Sequence, residues 1–275
     1  HGAGWYLPEM TQYFRPLDVR YIHMVMPLYF RKCDIALSVN RLGAEVFNRA
    51  LKLPPGKIRP VYFAPGRQFS RVTDPVRLKE MKQRYDLPER FILTLTKRAG
   101  DTRKNLGQIL KSYADYHGRT TSPHKLVVGG KDCHLFREEY AIPDDGYGAD
   151  ILFPGWIDQL DLPSVYTLAD LYLYPSNLEA FPVPITEAMA CGTPIITSDV
   201  NGPREIAGDA AVFIDPGNAG QIADAICHVL GDEGLRHSLS EKGLARSRLF
   251  SWDTCARETL AALQDVVGKE TTPAG

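Results

Sequence analysis

The sequence predicts an α/β fold built around a doubly wound parallel sheet, with a smaller α/β unit in front of it. From Phe91 onward, short β-branched or apolar runs alternate with longer amphipathic stretches, which is the pattern of repeated β-α units. A length of 275 residues suffices for one large α/β domain or two small ones. In a sheet of this kind, ligands bind beyond the carboxyl ends of the strands, so we expect the site in the loops that follow them.

The elements of the large unit follow from this alternation. The predicted strands are FILTLT (91–96), KLVVGG (125–130), DILFPG (150–155), LYLYPS (171–176), PIITSD (194–199) and AAVFID (210–215). The predicted helices between them are 105–116, 162–169, 184–191 and 219–230. In the last helix, apolar residues recur at helical spacing, which predicts one buried face.

Four segments are expected along the chain. Residues 1–66 form the smaller unit, with a helix around 21–30 and strands at 34–40 and 57–63. The segment FAPGRQFSRVTDP is rich in turn formers and reads as the linker to the large unit, residues 67–250. A helix at 251–268 is expected to begin at Ser251, a good N-cap, and to pack through an apolar face. We expect residues 269–275 to be disordered.

Composition excludes several classes of function. The formal net charge of −1 gives no basic footprint for a nucleic-acid partner. No apolar run approaches the roughly 20 residues of a membrane-spanning helix, so a cytoplasmic location is the default. The five cysteines and seven histidines are dispersed, without Cys-x-x-Cys or His-x-x-x-His pairs, and we expect no bound metal.

One segment carries the candidate chemistry, EAFPVPITEAMACGTPII at residues 179–196. Pro184 suits a first helical turn and Gly192 suits a C-terminal cap, so a short helix is expected to point its N-terminus at the crevice. Glu187 then lies on that helix and Glu179 in the loop before it. Free backbone amides at such a helix start form a site for a diphosphate.

These residues resemble a known family. The strings LYLYPSNLEAFPVPITEAMACGTPIITSD, FPGWI and TRKNL are similar to the donor domain of retaining glycosyltransferases of family 4, which have the GT-B fold. The order of DIALSVN, KIRPVYFAPG and FSWD is similar as well. The resemblance implies that residues 1–66 are the remnant of an N-terminal acceptor domain.

The resemblance also implies roles for single residues. Glu179 would bind hydroxyls of the transferred sugar and Glu187 the ribose, and a carboxylate can accept both hydrogen bonds of a diol. Lys104 would bind the diphosphate together with a second cation, for which Lys97, Arg98 and Arg103 are candidates and Arg98 is favoured. His1 lies where the family keeps an active-site histidine. Further nucleotide contacts are expected from Phe181, Pro182, Val183, Gly129 and Trp156.

One departure from the family pattern concerns the diphosphate. The family usually has Glu-Gly-Phe-Gly, whereas this chain has Glu179, Ala180, Phe181 and Pro182, so one donor amide is lost. The Val183 amide is expected to remain available.

The expected function is transfer of a sugar from a UDP- or GDP-sugar to a sugar, lipid or other hydroxyl acceptor, with retention and without a metal or another cofactor. The alternatives are a non-catalytic nucleotide- or sugar-binding module, and another GT-B enzyme such as a phosphorylase or an epimerase. A peripheral position at the inner membrane face and self-association through the N-terminal unit are secondary expectations. With so little acceptor domain in front, the isolated chain is expected to bind the donor nucleotide but to transfer sugar poorly.

Overall fold

The computed structural model describes residues 3–96, 102–121 and 124–270. The strands are β1 (Ala36–Ser38), β2 (Ile58–Pro60), β3 (Phe91–Leu95), β4 (Lys125–Gly129), β5 (Ile151–Leu152), β6 (Leu171–Tyr174), β7 (Ile195–Ser198) and β8 (Val212–Ile214). The helices are α1 (Pro16–Lys32), α2 (Arg41–Leu51), α3 (Pro75–Arg84), α4 (Leu106–Gly118), α5 (Phe136–Glu139), α6 (Leu162–Leu168), α7 (Val183–Cys191), α8 (Asn201–Ala207), α9 (Ala219–Gly231), α10 (Glu233–Ser247) and α11 (Trp252–Glu270).

Strands β3 to β8 form one parallel sheet in the order β5-β4-β3-β6-β7-β8. The chain builds outward from β3 in one direction, then returns to β6 and builds outward in the other. β3 and β6 are therefore neighbours, with Ile92 opposite Leu171 and Leu93 opposite Tyr172. This is the point at which a doubly wound sheet opens a crevice at the carboxyl ends of its strands.

Both faces of this sheet are buried, because side chains alternate between two apolar clusters. Leu171 and Leu173 belong to the cluster with α4 and α9. Tyr172 and Tyr174 point to the opposite face and belong to the cluster with α6 and α7. The predicted doubly wound sheet is confirmed, and so is the α/β fold class.

The N-terminal unit is a two-stranded parallel sheet, β1 with β2, packed with α1 and α2 around a small cluster that includes Phe30, Phe47 and Ile58. The predicted linker, residues 63–75, contains no helix or strand except at Pro75, where α3 begins. The unit docks on the large sheet through Glu205 in α8, whose carboxylate accepts the amides of Arg41 at 2.8 Å and Leu42 at 3.1 Å and the hydroxyl of Tyr62 at 2.6 Å. Glu205 therefore caps the positive end of α2.

Some helices differ from the sequence prediction. α3, α8 and α10 were not predicted, and in α3 only Met81 is buried, so its apolar periodicity is weak. α1 extends over 17 residues rather than the ten expected.

The C-terminal helix begins as expected, because the Ser251 hydroxyl accepts the Thr254 amide at 3.1 Å. It packs differently from the prediction: Leu260, Leu263 and Val267 are more than half exposed, and Ala262 is the fully buried position. The helix reaches Glu270, two residues past its expected end, and the rest of the predicted tail, 271–275, lies outside the described residues.

Within the described ranges, no helix combines the length and apolarity needed to cross a membrane. The same ranges contain no group of three or more His, Cys, Asp or Glu side chains placed to hold a metal ion.

Candidate active site

The candidate site lies where the loops after β3 and β6 meet, at the opening of the crevice. Lys104 ends a short 3-10 turn, Thr102–Lys104, just before α4. Glu179 lies in the loop between β6 and α7. The reversal of strand order thus brings together two residues that are 75 positions apart in the sequence.

Lys104 and Glu179 form a largely buried ion pair. The Lys104 Nζ lies 2.6 Å from Glu179 Oε1, and the two side chains are 20% and 15% exposed. The same oxygen accepts the Tyr174 hydroxyl at 2.6 Å and the Ser176 hydroxyl at 3.1 Å. Lys104 also donates to the Tyr174 hydroxyl, and its ammonium lies 4.5 Å from the centre of that ring. Charge-assisted bonds of this kind fix the orientation of both charged groups.

Asn105 fastens the loop that carries Lys104. Its backbone is left-handed, with φ of 62°, a conformation that Asn tolerates better than most residues. Its side-chain amide donates to the carbonyls of Pro175 at 3.1 Å and Pro216 at 2.6 Å. The Arg103 carbonyl accepts the Asn177 amide at 2.8 Å, which ties the same loop to the segment after β6. The residues on both sides of Lys104 are thus hydrogen-bonded to neighbouring segments, which fixes the position of the loop.

Glu187 lies deeper, on α7, and is 7% exposed. Its Oε2 accepts the hydroxyl of Tyr166 at 3.3 Å. Burial raises the pKa of the Glu187 carboxyl from its ordinary 4.5 to about 7, although the Tyr166 hydrogen bond works in the opposite direction. The structure places Glu187 beneath the site, with no direct hydrogen bond to Glu179 or Lys104 among those between described residues.

The start of α7 offers fewer free amides than the sequence predicts. Val183 donates its amide to the Phe181 carbonyl at 3.0 Å, so the amide expected for the diphosphate is occupied. Pro182 and Pro184 have none, and Ile185 donates to the Pro182 carbonyl at 2.9 Å. The Val183 amide is therefore not free in this conformation, and diphosphate binding at the start of α7 stays a prediction. Gly192, with φ of 73°, ends the helix as predicted.

The other predicted residues take different positions. Phe181 is buried and contacts Phe63 and Phe250 edge to face. Trp156 is 64% exposed after β5, free to cover a planar group. Gly129 ends β4, where an added Cβ would lie 2.9 Å from the side-chain ends of both Ile157 and Leu95, so a larger residue would have to displace them. His1, Lys97 and Arg98 lie outside the described residues, and their roles stay predictions.

A cavity of about 300 Å³ opens between the N-terminal unit and Glu179. Its walls are mainly apolar and include Trp5, Phe14 and Phe63, and Trp5 and Phe14 stack at 3.7 Å. The Asn40 side-chain amide donates to the Ala180 carbonyl at 2.5 Å and so connects the N-terminal unit to the loop of Glu179.

Sequence reasoning missed Tyr174, Ser176, Asn40 and Asn105 as parts of the site. A usable signal was present only for Tyr174 and Ser176, which lie at the carboxyl end of the strand that precedes Glu179.

Comparison with known proteins decides the family. Residues 78–246 match the family of glycosyl transferases, group 1. The chain belongs to this family. This group 1 glycosyltransferase is 26% identical over 286 residues to O-antigen chain mannosyltransferase B of Escherichia coli, covering 95% of the chain and 73% of the relative. It is 24% identical over 254 residues to the serotype-specific mannosyltransferase WbdA of Escherichia coli, covering 91% of the chain and 31% of that protein.

Two solved structures illustrate the similarity in fold. Sucrose-phosphate synthase from Thermosynechococcus elongatus matches with a TM-score of 0.75 at 23% identity, over 91% of this chain and 62% of that one. Alr3699/HepE of Anabaena, solved in complex with UDP and glucose, matches with a TM-score of 0.77 at 17% identity. The match covers 96% of this chain and 71% of that one. These neighbours confirm the GT-B type of fold. The glycosyltransferase thus spans about three quarters of one mannosyltransferase relative and about a third of another.

Proposed function

We propose that this chain binds a nucleoside-diphosphate sugar, with UDP or GDP as the nucleotide, in the crevice between β3 and β6 and transfers the sugar to a hydroxyl of a carbohydrate or lipid-linked acceptor. The observation that carries the proposal is the buried Lys104–Glu179 pair at the switch point of the sheet. A cation and an acceptor-only carboxylate meet there, the two groups needed for a diphosphate and for sugar hydroxyls.

The residues of the candidate site bind different parts of the donor in this proposal. Glu179 accepts hydroxyls of the transferred sugar, and Glu187 accepts the ribose hydroxyls. Lys104 leaves Glu179 for the diphosphate, where it offsets the charge that develops as the glycosidic bond breaks. A second cation comes from Lys97, Arg98 or Arg103, of which Arg98 is favoured. Fixed cations replace a divalent metal, and the anomeric configuration is retained. Trp156 covers the base, and His1 approaches the sugar.

The sugar is proposed to be a mannose, since two of the relatives are mannosyltransferases. Calorimetry with GDP-mannose, GDP, UDP-glucose and UDP, each with and without a chelator, tests the donor and the metal together. We expect one sugar nucleotide and the corresponding free nucleotide to bind. For each of these two ligands, the affinity should be the same with and without the chelator. Strict dependence on magnesium or manganese contradicts the metal-free proposal.

Two substitutions separate the carboxylates. Glu187→Gln is expected to weaken the free nucleotide and the sugar nucleotide alike, whereas Glu179→Gln weakens mainly the sugar nucleotide. Glu258→Gln, at an exposed position on α11, is the matched control and should change neither affinity. If Glu179→Gln and Glu187→Gln lower the affinity for free nucleotide equally, Glu179 does not bind the sugar.

One observation favours a second function, a binding module without transfer. The Val183 amide is engaged with Phe181, so the diphosphate loses a donor that would stabilise the leaving group. Release of labelled sugar from the bound donor, to acceptor or to water, separates the two functions. If the labelled donor binds but no sugar is released over hours, the chain is a binding module without transfer activity.

A further inference from the structure

Strand β6 ends in a residue whose hydroxyl joins the two charged groups of the site. Tyr174 is 2% exposed, and its hydroxyl donates to Glu179 Oε1 at 2.6 Å while accepting a hydrogen bond from Lys104. Its ring stacks on Tyr172 with 5.7 Å between the ring centres. The ring alone would fill this space, so the hydroxyl is the part of Tyr174 that packing does not require.

The hydrogen bonds around Glu179 are one-sided. Tyr174, Lys104 and Ser176 all donate to Oε1. Between residues that the structure describes, no hydrogen bond reaches Oε2. An oxygen with three donors has no room for a fourth, so Oε2 is the atom that Glu179 presents to a ligand.

Tyr174 also decides what happens to Glu179 when Lys104 moves. A lysine ammonium that turns to a diphosphate withdraws one of the three donors from Glu179, and a buried carboxylate depends on the donors that remain. The Tyr174 hydroxyl stays in place because its ring is buried in the cluster with α6 and α7 and stacks on Tyr172. It therefore keeps Oε1 occupied and Oε2 pointing outward after the lysine has left.

We propose that Tyr174 is a positioning residue that orients Glu179 toward the hydroxyls of the transferred sugar and so sets the preference of the site for sugar nucleotide over free nucleotide. The inference rests on the proposed function, since it assumes that a sugar nucleotide occupies this crevice.

Tyr174→Phe tests the inference, because it removes the hydroxyl and keeps the ring. The measurement is the ratio of two dissociation constants in the full chain, one for GDP-mannose and one for GDP, or for UDP-glucose and UDP if the wild type prefers those. A lost hydrogen bond to a charged group predicts a ratio about tenfold less favourable to the sugar nucleotide, with free-nucleotide affinity within about twofold of wild type. A purely structural role would weaken both ligands equally.

Tyr172→Phe is the matched control. Tyr172 lies two residues earlier on the same face, and its hydroxyl makes no hydrogen bond to Glu179 or Lys104. In Tyr172→Phe, the ratio of the dissociation constants for sugar nucleotide and free nucleotide should equal that of the wild type.

A double substitution shows whether Tyr174 acts through Glu179. In a Glu179→Gln background, adding Tyr174→Phe should change the ratio by less than about twofold, because the orientation it sets no longer matters. A further tenfold loss overturns the inference, as does an unchanged ratio in Tyr174→Phe alone. A wild type that binds none of the four ligands refutes the proposed function itself, which separates the two failures.

Discussion

Replacement of Glu187 by glutamine should stabilise the ligand-free chain, and more so at higher pH. Glu187 is 7% exposed, and burial raises its pKa to about 7 from an ordinary 4.5. Glutamine has nearly the same shape, carries no charge, and its carbonyl oxygen can accept the Tyr166 hydroxyl in place of the carboxylate. The substitution therefore isolates the cost of ionising a buried carboxylate.

The direction and size of the effect follow from proton linkage. Below pH 4.5 the carboxyl is protonated in both the folded and the unfolded chain, and its contribution to stability is fully present. Between pH 4.5 and about 7 the unfolded chain releases the proton and the folded chain keeps it, so stability falls as pH rises. At about 1.4 kcal/mol for each pH unit, the loss reaches about 3 kcal/mol above pH 7. The Glu187→Gln variant has no carboxyl at this position, so its stability does not fall with pH for this reason.

Urea unfolding followed by tryptophan fluorescence at pH 5, 6, 7 and 8 measures the effect. We expect the free energy of unfolding of Glu187→Gln, relative to the wild type, to rise by about 2 to 3 kcal/mol between pH 5 and pH 8. Glu258→Gln, which is exposed, should follow the wild type at every pH. A difference between Glu187→Gln and the wild type that stays constant with pH refutes the reasoning, because it shows that Glu187 titrates normally in the folded chain.

Three further substitutions, with one control, test contacts of the site and of the N-terminal unit by urea unfolding. Gly202→Ala places a Cβ against the Glu179 carbonyl and 2.6 Å from that of Ala180, so we expect a loss of about 1 to 3 kcal/mol and weaker nucleotide binding. Gly231→Ala, at an open helical position, should be neutral or slightly stabilising. Asn105→Ala removes two hydrogen bonds and also strains the left-handed backbone, so it should cost at least about 1 to 3 kcal/mol, and a neutral result means that the hydrogen bonds do not hold the Lys104 loop. Glu205→Gln weakens the cap on α2 and should cost about 1 kcal/mol; unchanged stability shows that the cap contributes nothing.

The large sheet was predictable because its central strands, β3, β4, β6 and β7, are almost entirely buried. A parallel strand covered on both faces reads as a continuous apolar run, and FILTL, LYLY and IITS are such runs. Helices without an apolar face gave no comparable signal. α10 buries only Leu239, Ser240 and Gly243, which no period of 3.6 reveals.

The site was predictable only in part. Glu179, Glu187 and Lys104 follow from motif resemblance, and the strand order explains why two of them meet. Tyr174 was missed although it ends the strand that precedes Glu179, because in the run LYLY it resembles an ordinary core residue and only the position of its hydroxyl is unusual. The proline positions predicted where α7 begins, yet the direction of the Val183 amide depends on backbone angles that composition does not fix.

The engaged amides at the start of α7 and the Lys104–Glu179 pair have a common consequence for the proposed reaction. A helix start with two prolines and an occupied amide contributes little positive potential, so the diphosphate depends on side-chain cations for its charge balance. In the ligand-free state Lys104 cannot stay buried alone, and Glu179 neutralises it at 2.6 Å. A sugar diphosphate offers Lys104 a replacement anion and offers Glu179 replacement donors at the same moment. Free nucleotide offers only the first and leaves Glu179 to Tyr174 and Ser176, so the proposed function predicts that the site prefers the complete donor.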